Sequence, residues 1–228
     1  MKISEIFYSI QGEGILNGVP SAFVRTTGCN LRCVFCDSPQ TSWVPEGINF
    51  SIEDIVAKTN PFETNHVVIT GGEPFLQPEL VELCSKYKEL GYHVTVETAG
   101  TLFQNVQCDL LSISPKLSNS TPQLRENGKY KLRHDEIRLQ PDIVRKLMDM
   151  AEYQLKFVID SPADTKEVHD FLKSLGKFEK SKVLLMPQGI TREDLEKKSH
   201  WLVDLCKVEG FRFCPRLHID LYGNTPGT

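Results

Sequence analysis

Short apolar runs alternate along this chain with longer segments in which apolar residues recur three or four positions apart. The runs have the length of strands and the spaced segments are typical of amphipathic helices, so the pattern predicts a parallel sheet built from βα units. The predicted strands are Ser21–Thr26, Val67–Thr70, Val94–Thr98, Leu110–Ser114, Leu155–Ile159, Val183–Met186 and, as a seventh, Arg212–Leu217.

Start and stop residues support the predicted helices. Ser51 precedes an acidic first turn, as an N-cap does, and Pro78 opens a segment that stops at Gly91. The polar, turn-rich interval Asn119–Gly128 predicts a surface loop. The predicted helices are Ser51–Val56, Pro78–Leu90, Pro141–Tyr153, Pro162–Leu175 and Thr191–Val208.

Six to seven strands are too few to close an eight-stranded barrel. The expected fold is therefore α/β, a partial and open parallel (β/α) barrel. The chain has 228 residues, of which 40% are hydrophobic and 25% charged, which suits one domain over residues 1–228.

Composition also limits the partners. The net charge of −4 argues against nucleic acid. No apolar run reaches the ~18 residues of a membrane span, and Met1–Glu5 lacks the apolar segment of a signal peptide. With seven cysteines and no export signal, we expect a cytoplasmic protein with a small-molecule substrate.

Three of the cysteines, Cys29, Cys33 and Cys36, follow one another with the spacing C-x-x-x-C-x-x-C. No fourth cysteine or histidine lies close by, although a structural zinc site wants four protein ligands. Three thiolates on a [4Fe–4S] cluster would leave one iron open to a ligand that is not protein. Zinc completed by the remote Cys84 or His66 is the alternative that the sequence leaves open.

Chemically capable groups follow five predicted strands. Because the carboxyl ends of parallel strands share one edge of a sheet, this placement predicts a single site there. The segments are the cysteine loop, Gly71-Gly72-Glu73-Pro74, Glu97–Gly100, Ser114-Pro115-Lys116 and Pro187-Gln188-Gly189.

These segments can be assigned chemistry, each with a plainer alternative. Gly71-Gly72 allows close backbone approach to a ligand, and Glu73 can accept hydrogen bonds from an ammonium group, although the same residues suit an ordinary turn. Lys116 could bind a carboxylate or be a surface lysine. Gln188 could bind an adenine or ribose edge or lie in solvent.

The N-terminal stretch carries a second polar set. Gln11 and Glu13 together present donors and acceptors that suit a flat heterocycle. Arg25 lies within an apolar predicted strand, where burial without an anionic partner would be costly. Its guanidinium either holds a substrate carboxylate or pairs with an acid of the core, and the sequence leaves both open.

The cysteine spacing and the Gly-Gly-Glu-Pro element resemble those of the radical S-adenosylmethionine (SAM) enzymes. In that family SAM binds the open iron, and an electron from the cluster cleaves it to a 5′-deoxyadenosyl radical. Within it the chain resembles the 7-carboxy-7-deazaguanine synthases. The matching elements are Ile10–Gly14, Gly18-x-Pro20, Arg25, Gly28–Asp37, Thr70–Pro74, Ser114-Pro115-Lys116 and Arg216–Ile219.

The resemblance implies ring contraction of 6-carboxy-5,6,7,8-tetrahydropterin to 7-carboxy-7-deazaguanine with loss of ammonia, a step toward queuosine. It implies a [4Fe–4S] cluster, SAM and Mg²⁺, an electron donor such as flavodoxin, and a homodimer. A radical SAM activase acting on a partner protein is the main alternative. A non-catalytic electron-transfer module is another.

Residue roles follow from the resemblance by position. Cys29, Cys33 and Cys36 would bind the cluster, and Ser38 would contact Mg²⁺ where the family often has Thr. Glu97 is expected beside Thr98, near the ribose and methionine parts of SAM. The resemblance assigns SAM binding to Phe35, Cys36, Asp37, Gly72, Glu73, Thr98, Ser114, Lys116 and Gln188, and substrate binding to Ile10, Gln11, Gly12, Glu13, Arg25 and Thr70.

Overall fold

A computed structural model describes residues 1–228. The strands are β1 (Lys2–Ile10), β2 (Pro20–Thr26), β3 (Ile48–Asn49), β4 (His66–Gly71), β5 (His93–Thr98), β6 (Leu110–Ile113), β7 (Tyr153–Ile159), β8 (Val183–Pro187) and β9 (Arg212–Phe213). The helices are α1 (Pro39–Ser42), α2 (Ile52–Thr59), α3 (Leu80–Glu89), α4 (Lys131–Ile137), α5 (Pro141–Met150), α6 (Asp164–Leu175), α7 (Arg192–Glu209) and α8 (Leu217–Tyr222).

All nine strands form one open sheet in the order β3-β1-β2-β4-β5-β6-β7-β8-β9. From β2 to β9 the seven neighbouring strands run parallel, which confirms the predicted partial (β/α) barrel. Strand β1 pairs antiparallel with β2, and β3 pairs antiparallel with β1. The parallel strands therefore place their carboxyl ends, and the loops that follow them, along one rim.

Strand β1 was not predicted, and its register explains why. The pairing with β2 shifts between Ile3 and Glu5, as at a β-bulge. A bulge adds one residue to a strand and so breaks the alternation of apolar and polar positions by which a half-buried strand is recognised. The predicted strand Arg212–Leu217 was too long, because only Arg212–Phe213 pairs with β8 and Leu217 begins α8.

The predicted helices all form, with their ends shifted by a few residues. Ser51 caps α2 by accepting a hydrogen bond from the backbone N–H of Asp54, and Thr191 caps α7 by accepting one from the backbone N–H of Asp194. Helix α4, which carries charges of both signs, was not among the predicted helices. None of the helices combines the length and apolar character needed to cross a membrane.

A core of 34 buried apolar residues lies between the sheet and the helices. In β4 the residues Val67, Val68 and Ile69 are all at most 2% exposed, as expected for a parallel strand covered on both faces. This rigid layer fixes the strand ends, and with them the positions of the loop residues that carry chemistry.

Candidate active site

A main cavity of about 300 Å³ lies at the carboxyl ends of the parallel strands. It collects nearly all of the residues that the sequence predicted for the site, and only Glu73 and Gln188 lie outside its lining. The predicted residues that line it are Ile10, Gln11, Gly12, Glu13, Arg25, Cys29, Cys33, Phe35, Cys36, Asp37, Ser38, Thr70, Gly72, Thr98, Ser114 and Lys116.

The cysteine loop follows β2 and is held mainly through its backbone. The Arg32 guanidinium donates to the carbonyls of Cys29 at 2.6 Å and Leu31 at 2.7 Å. The indole N–H of Trp43 donates to the Cys33 carbonyl at 3.0 Å. With these carbonyl oxygens satisfied, the loop has a defined shape that its own side chains maintain.

The two glycines after β4 serve this loop directly. A Cβ on Gly72 would come within 2.1 Å of the carbonyl oxygen of Gly28, and one on Gly71 within 2.1 Å of the carbonyl oxygen of Thr26. Gly71 also has a φ of +134°, which favours glycine. The two glycines were expected to let the backbone approach a ligand closely. In the structure they approach the backbone that leads into the cysteine loop, and Gly72 also lines the cavity.

The three loop thiols line one end of the main cavity. Burial raises the pKa of Cys29 and of Cys33 to about 12, and burial also raises the pKa of Cys36. These thiols are therefore protonated at neutral pH without a bound cation, and iron would displace their protons. Soft sulfur donors of this kind suit iron–sulfur clusters.

A fourth protein ligand is not available at this end of the cavity. Cys84 is fully buried in the core on α3, and His66 lies at the start of β4, stacked on His93. The only histidine lining the cavity is His218, which packs beside Gly12. The donor set fits a [4Fe–4S] cluster with one open iron and not the zinc alternative.

Glu73 lies behind the cavity wall and is fully buried. Its carboxylate accepts hydrogen bonds from the hydroxyl of Thr98 at 2.8 Å and from the backbone N–H groups of Ala99 at 2.9 Å and Phe75 at 3.1 Å. Burial raises the pKa of Glu73 despite these donors. In this arrangement Glu73 joins the ends of β4 and β5, and its oxygens are already engaged by the chain.

The other end of the cavity carries a chain of polar side chains. Gln11 is 5% exposed, and its amide donates to Glu97 at 3.2 Å while its oxygen accepts from the backbone N–H of Glu13. Thr70 donates to the other oxygen of Glu97 at 2.7 Å. Glu97, expected near SAM, is thus grouped with the residues predicted to bind the substrate.

Glu13 is the centre of a charged cluster at this end. Lys156 donates to one of its oxygens, and Arg216 donates to the other at 2.9 Å. Burial alone would raise the pKa of Glu13, but the charges of Lys156 and Arg216 hold it far below its ordinary value. Arg216 also pairs with Asp37, so one guanidinium joins the Glu13 end to the cysteine loop.

Sequence reasoning missed several lining residues. Lys156 was the detectable one, because a lysine within the apolar strand β7 needs an anionic partner. Arg216 and His218 belonged to a noted motif but had no predicted role. The Gly223–Thr228 segment also lines the cavity, a position that the sequence left undecided.

The remaining predicted residues have defined partners. Arg25 pairs with Glu5 at 2.6 Å, so the ion pair with an acid of the chain, one of its two predicted roles, is formed. Arg25 also lines the cavity, where its guanidinium lies 3.4 Å from the hydroxyl of Ser38. Lys116 donates to the carbonyl and hydroxyl oxygens of Ser114. Gln188 does not reach the cavity, because its side chain accepts a hydrogen bond from Lys198 at 2.9 Å.

The sequence profile of the Radical SAM superfamily matches residues 23–202, which include the cysteine loop and most of the parallel sheet. The chain therefore belongs to the radical SAM superfamily, whose members use a [4Fe–4S] cluster and SAM.

Full-length relatives define the family within that class. The 7-carboxy-7-deazaguanine synthase of Halobacterium salinarum is 42% identical and covers 100% of this chain and 93% of its own length. The 7-carboxy-7-deazaguanine synthase of Rhodopirellula baltica is 43% identical, and the match covers 99% of this chain and 88% of the relative. The chain belongs to the 7-carboxy-7-deazaguanine synthase family. QueE from Escherichia coli shares the fold, with a TM-score of 0.71 at 21% identity over 95% of this chain and 94% of QueE.

Proposed function

We propose that this single-domain chain converts 6-carboxy-5,6,7,8-tetrahydropterin to 7-carboxy-7-deazaguanine with loss of ammonia. The observation that carries the proposal is the shape of one cavity, which joins three thiols at one end to the polar set around Gln11 and Glu13 at the other. A reductively cleaved cofactor and a flat heterocycle can therefore lie side by side in one cavity.

At the cysteine end, Cys29, Cys33 and Cys36 would hold the cluster. When bound, the cluster and SAM supply a 5′-deoxyadenosyl radical. Lys116, whose ammonium group lines the cavity, provides a positive charge for the carboxylate of SAM. Thr98, Ser114 and Asp37 add polar atoms on the same wall.

At the other end, Glu13 would accept hydrogen bonds from the N–H edge of the pterin. Lys156 and Arg216 keep its carboxylate ionised and fix both of its oxygens. Gln11 and Glu97 are held in place by their mutual hydrogen bond, so the donors and acceptors are oriented before the substrate arrives.

The substrate carboxylate would bind between Arg25 and Mg²⁺. The hydroxyl of Ser38 lies 3.4 Å from the Arg25 guanidinium and 3.2 Å from an oxygen of Asp37. Mg²⁺ commonly takes one or two protein oxygens and fills its remaining positions with water and substrate oxygens. Ser38 and Asp37 supply such a pair.

The wider setting belongs to the same proposal. The enzyme would work in the cytoplasm, take its electron from a carrier such as flavodoxin, and form a homodimer. Exposed apolar side chains at the β3 edge of the sheet support a contact with a second copy. Ile48 of β3 is 69% exposed, and Val44, which precedes β3, is 64% exposed.

Anaerobic reconstitution with iron and sulfide tests the proposed reaction. We expect the protein, given dithionite, SAM, Mg²⁺ and 6-carboxytetrahydropterin, to release 7-carboxy-7-deazaguanine while SAM is regenerated, as measured by mass spectrometry. Turnover in the absence of a partner protein excludes the activase alternative. A reduced, SAM-binding protein that leaves the pterin unchanged would contradict the proposal.

A further inference from the structure

A buried amide lies beneath the loop that carries Glu13. Gln154 of β7 is 2% exposed and does not line the main cavity. Its side-chain oxygen accepts a hydrogen bond from the backbone N–H of Ile15 at 2.8 Å, and its side-chain nitrogen donates to the hydroxyl of Ser112 at 2.7 Å. Gln154 therefore connects the parallel sheet to the backbone that follows Glu13.

The two partners of Gln154 fix the orientation of its amide group. A backbone N–H can only donate, so the side-chain oxygen has to face Ile15 and the nitrogen has to face Ser112. Ser112 is 1% exposed and is the register partner of Gln154 between β6 and β7. The nitrogen side of the amide is thus anchored in the core of the sheet, and its oxygen side holds the loop.

Strand β7 holds the loop at two points. Lys156 donates to the carboxylate of Glu13, and Gln154, two residues earlier on the same face of β7, binds the backbone at Ile15. An ion pair to the carboxylate alone would leave the backbone free to tilt. The second contact limits that tilt and so sets the direction in which the Glu13 carboxylate points.

The loop is packed directly on the amide of Gln154. A Cβ on Gly14 would come within 2.3 Å of the side-chain nitrogen of Gln154, so this position requires glycine. On the other side of Glu13, the carbonyl of Gly12 accepts hydrogen bonds from the side chain of Asn17 and from the backbone N–H of Leu217, each at 2.9 Å. Those two contacts come from the loop itself and from α8, whereas Gln154 supplies a contact from the middle of the sheet.

We propose that Gln154 is a positioning residue for the pterin. It orients the Glu13 loop, residues 11–15, and makes no contact with the substrate itself. This inference rests on the proposed function, in which Gln11 and Glu13 bind the pterin. SAM would bind at the cysteine end of the cavity and would not depend on Gln154. A purely structural role would be met by an apolar side chain of the same size, which needs no hydrogen-bond partner.

The test is the variant Gln154→Met in the reconstituted protein. Methionine has nearly the same length and shape as glutamine but carries neither the amide oxygen nor the amide nitrogen. Gln154→Asn keeps an amide that is shorter by one methylene, and it gives the same readouts should Gln154→Met fail to fold. The control is Thr59→Val, which removes a buried hydrogen bond to Tyr87 between α2 and α3, outside the cavity lining.

Three measurements are made on each protein. Steady-state kinetics with dithionite give kcat and the KM values for 6-carboxytetrahydropterin and for SAM. Hydrogen exchange followed by mass spectrometry reports the Glu13 loop in the absence of substrate. Urea denaturation reports the stability of the whole fold.

We expect Gln154→Met to raise the KM for the pterin roughly tenfold, on the scale of one or two hydrogen bonds. The change in kcat should be much smaller, because the contact aids substrate and transition state alike. The KM for SAM should stay at the wild-type value. Amide hydrogens of the Glu13 loop should exchange faster, while those of β6 and β7 keep their rates. Thr59→Val should lose stability in urea and match the wild type in both KM values and in loop exchange.

An unchanged KM for the pterin in Gln154→Met, or an equal rise in the KM for SAM, would overturn the assignment, because Gln154 would then serve the fold alone. Unchanged exchange of the Glu13 loop would overturn it as well. A wild-type protein that forms no product from the pterin would instead count against the proposed function. Loop exchange needs no substrate, so it would still decide whether Gln154 holds the loop.

Discussion

At the cysteine end of the main cavity the groups that fix the loop donate to backbone carbonyls, and the thiols themselves are neutral. At the Glu13 end the side chains are ionised and held by one another, with Lys156 and Arg216 on the two oxygens of one carboxylate. Both ends are partly buried, yet the first is fixed by hydrogen bonds to uncharged backbone carbonyls and the second by pairs of opposite charges.

The difference follows from what each end would bind. A metal cluster brings its own charge, so a receptor of protonated thiols becomes charged only when iron displaces protons. The N–H edge of a heterocycle carries no full charge, so an acceptor that is already ionised binds it more strongly than a neutral one. Burial disfavours that ionisation, and the two cations at Glu13 reverse the effect.

Replacing a thiol should have the largest effect. In Cys33→Ser the soft donor is lost, so we expect less iron after reconstitution and turnover below detection. Iron analysis and activity with dithionite measure this. The control is Cys108→Ser, a thiol that does not line the cavity and should keep full iron content. A normal iron content in Cys33→Ser would contradict the assignment of Cys33 as a cluster ligand.

At the charged end, Lys156→Met should leave the Glu13 carboxylate with only one of its two cationic partners, Arg216. We expect a loss of about 3 kcal/mol in the free energy of unfolding, the usual scale when one partner of a buried ion pair is removed, and a large fall in turnover. Urea denaturation measures the loss in the free energy of unfolding, and product formation with dithionite measures turnover. The double variant Glu13→Gln with Lys156→Met removes both charges and should recover much of the stability. Equal instability of both variants would show that lost packing is responsible.

Arg216 connects the two ends, and Arg216→Lys tests that connection. The variant keeps the charge but loses the planar group that contacts Glu13 and Asp37 together. We expect roughly tenfold higher KM values for the substrate and for SAM with a smaller change in kcat, on the scale of one or two charge-assisted hydrogen bonds. An effect confined to kcat would place Arg216 in the chemical step.

The smallest effect concerns pH at the cysteine end. His134 accepts from the backbone N–H of Arg32 at 3.1 Å, and burial lowers its pKa from 6.5 to about 4. As the pH falls from 6.5 to 4, the unfolded chain takes up this proton first, so the folded state loses stability, by an amount on the order of 2 kcal/mol. Denaturation of the wild type and His134→Gln across that window measures it. Parallel pH curves would contradict the prediction.

Much of the cysteine end could be predicted from the sequence because its parts are local. The three thiols lie on one loop, and the glycines that pack against it follow the next parallel strand. The charged end is different, since Glu13 and Arg216 are 203 residues apart and meet only in the folded chain. The position of Lys156 depends on which side of β7 faces the cavity, and the bulge in β1 concealed the strand that leads to Glu13.

The contact between Gly72 and the backbone of Gly28 affects what happens to the enzyme when oxygen destroys its cluster. The loop around the cysteines is set by glycine contacts and carbonyl partners that need no metal. In many small metalloproteins loss of the metal unfolds the chain. Because these contacts lie within the chain, we expect the loop to persist when oxygen destroys the cluster, and the protein to regain a cluster from iron and sulfide instead of having to be replaced.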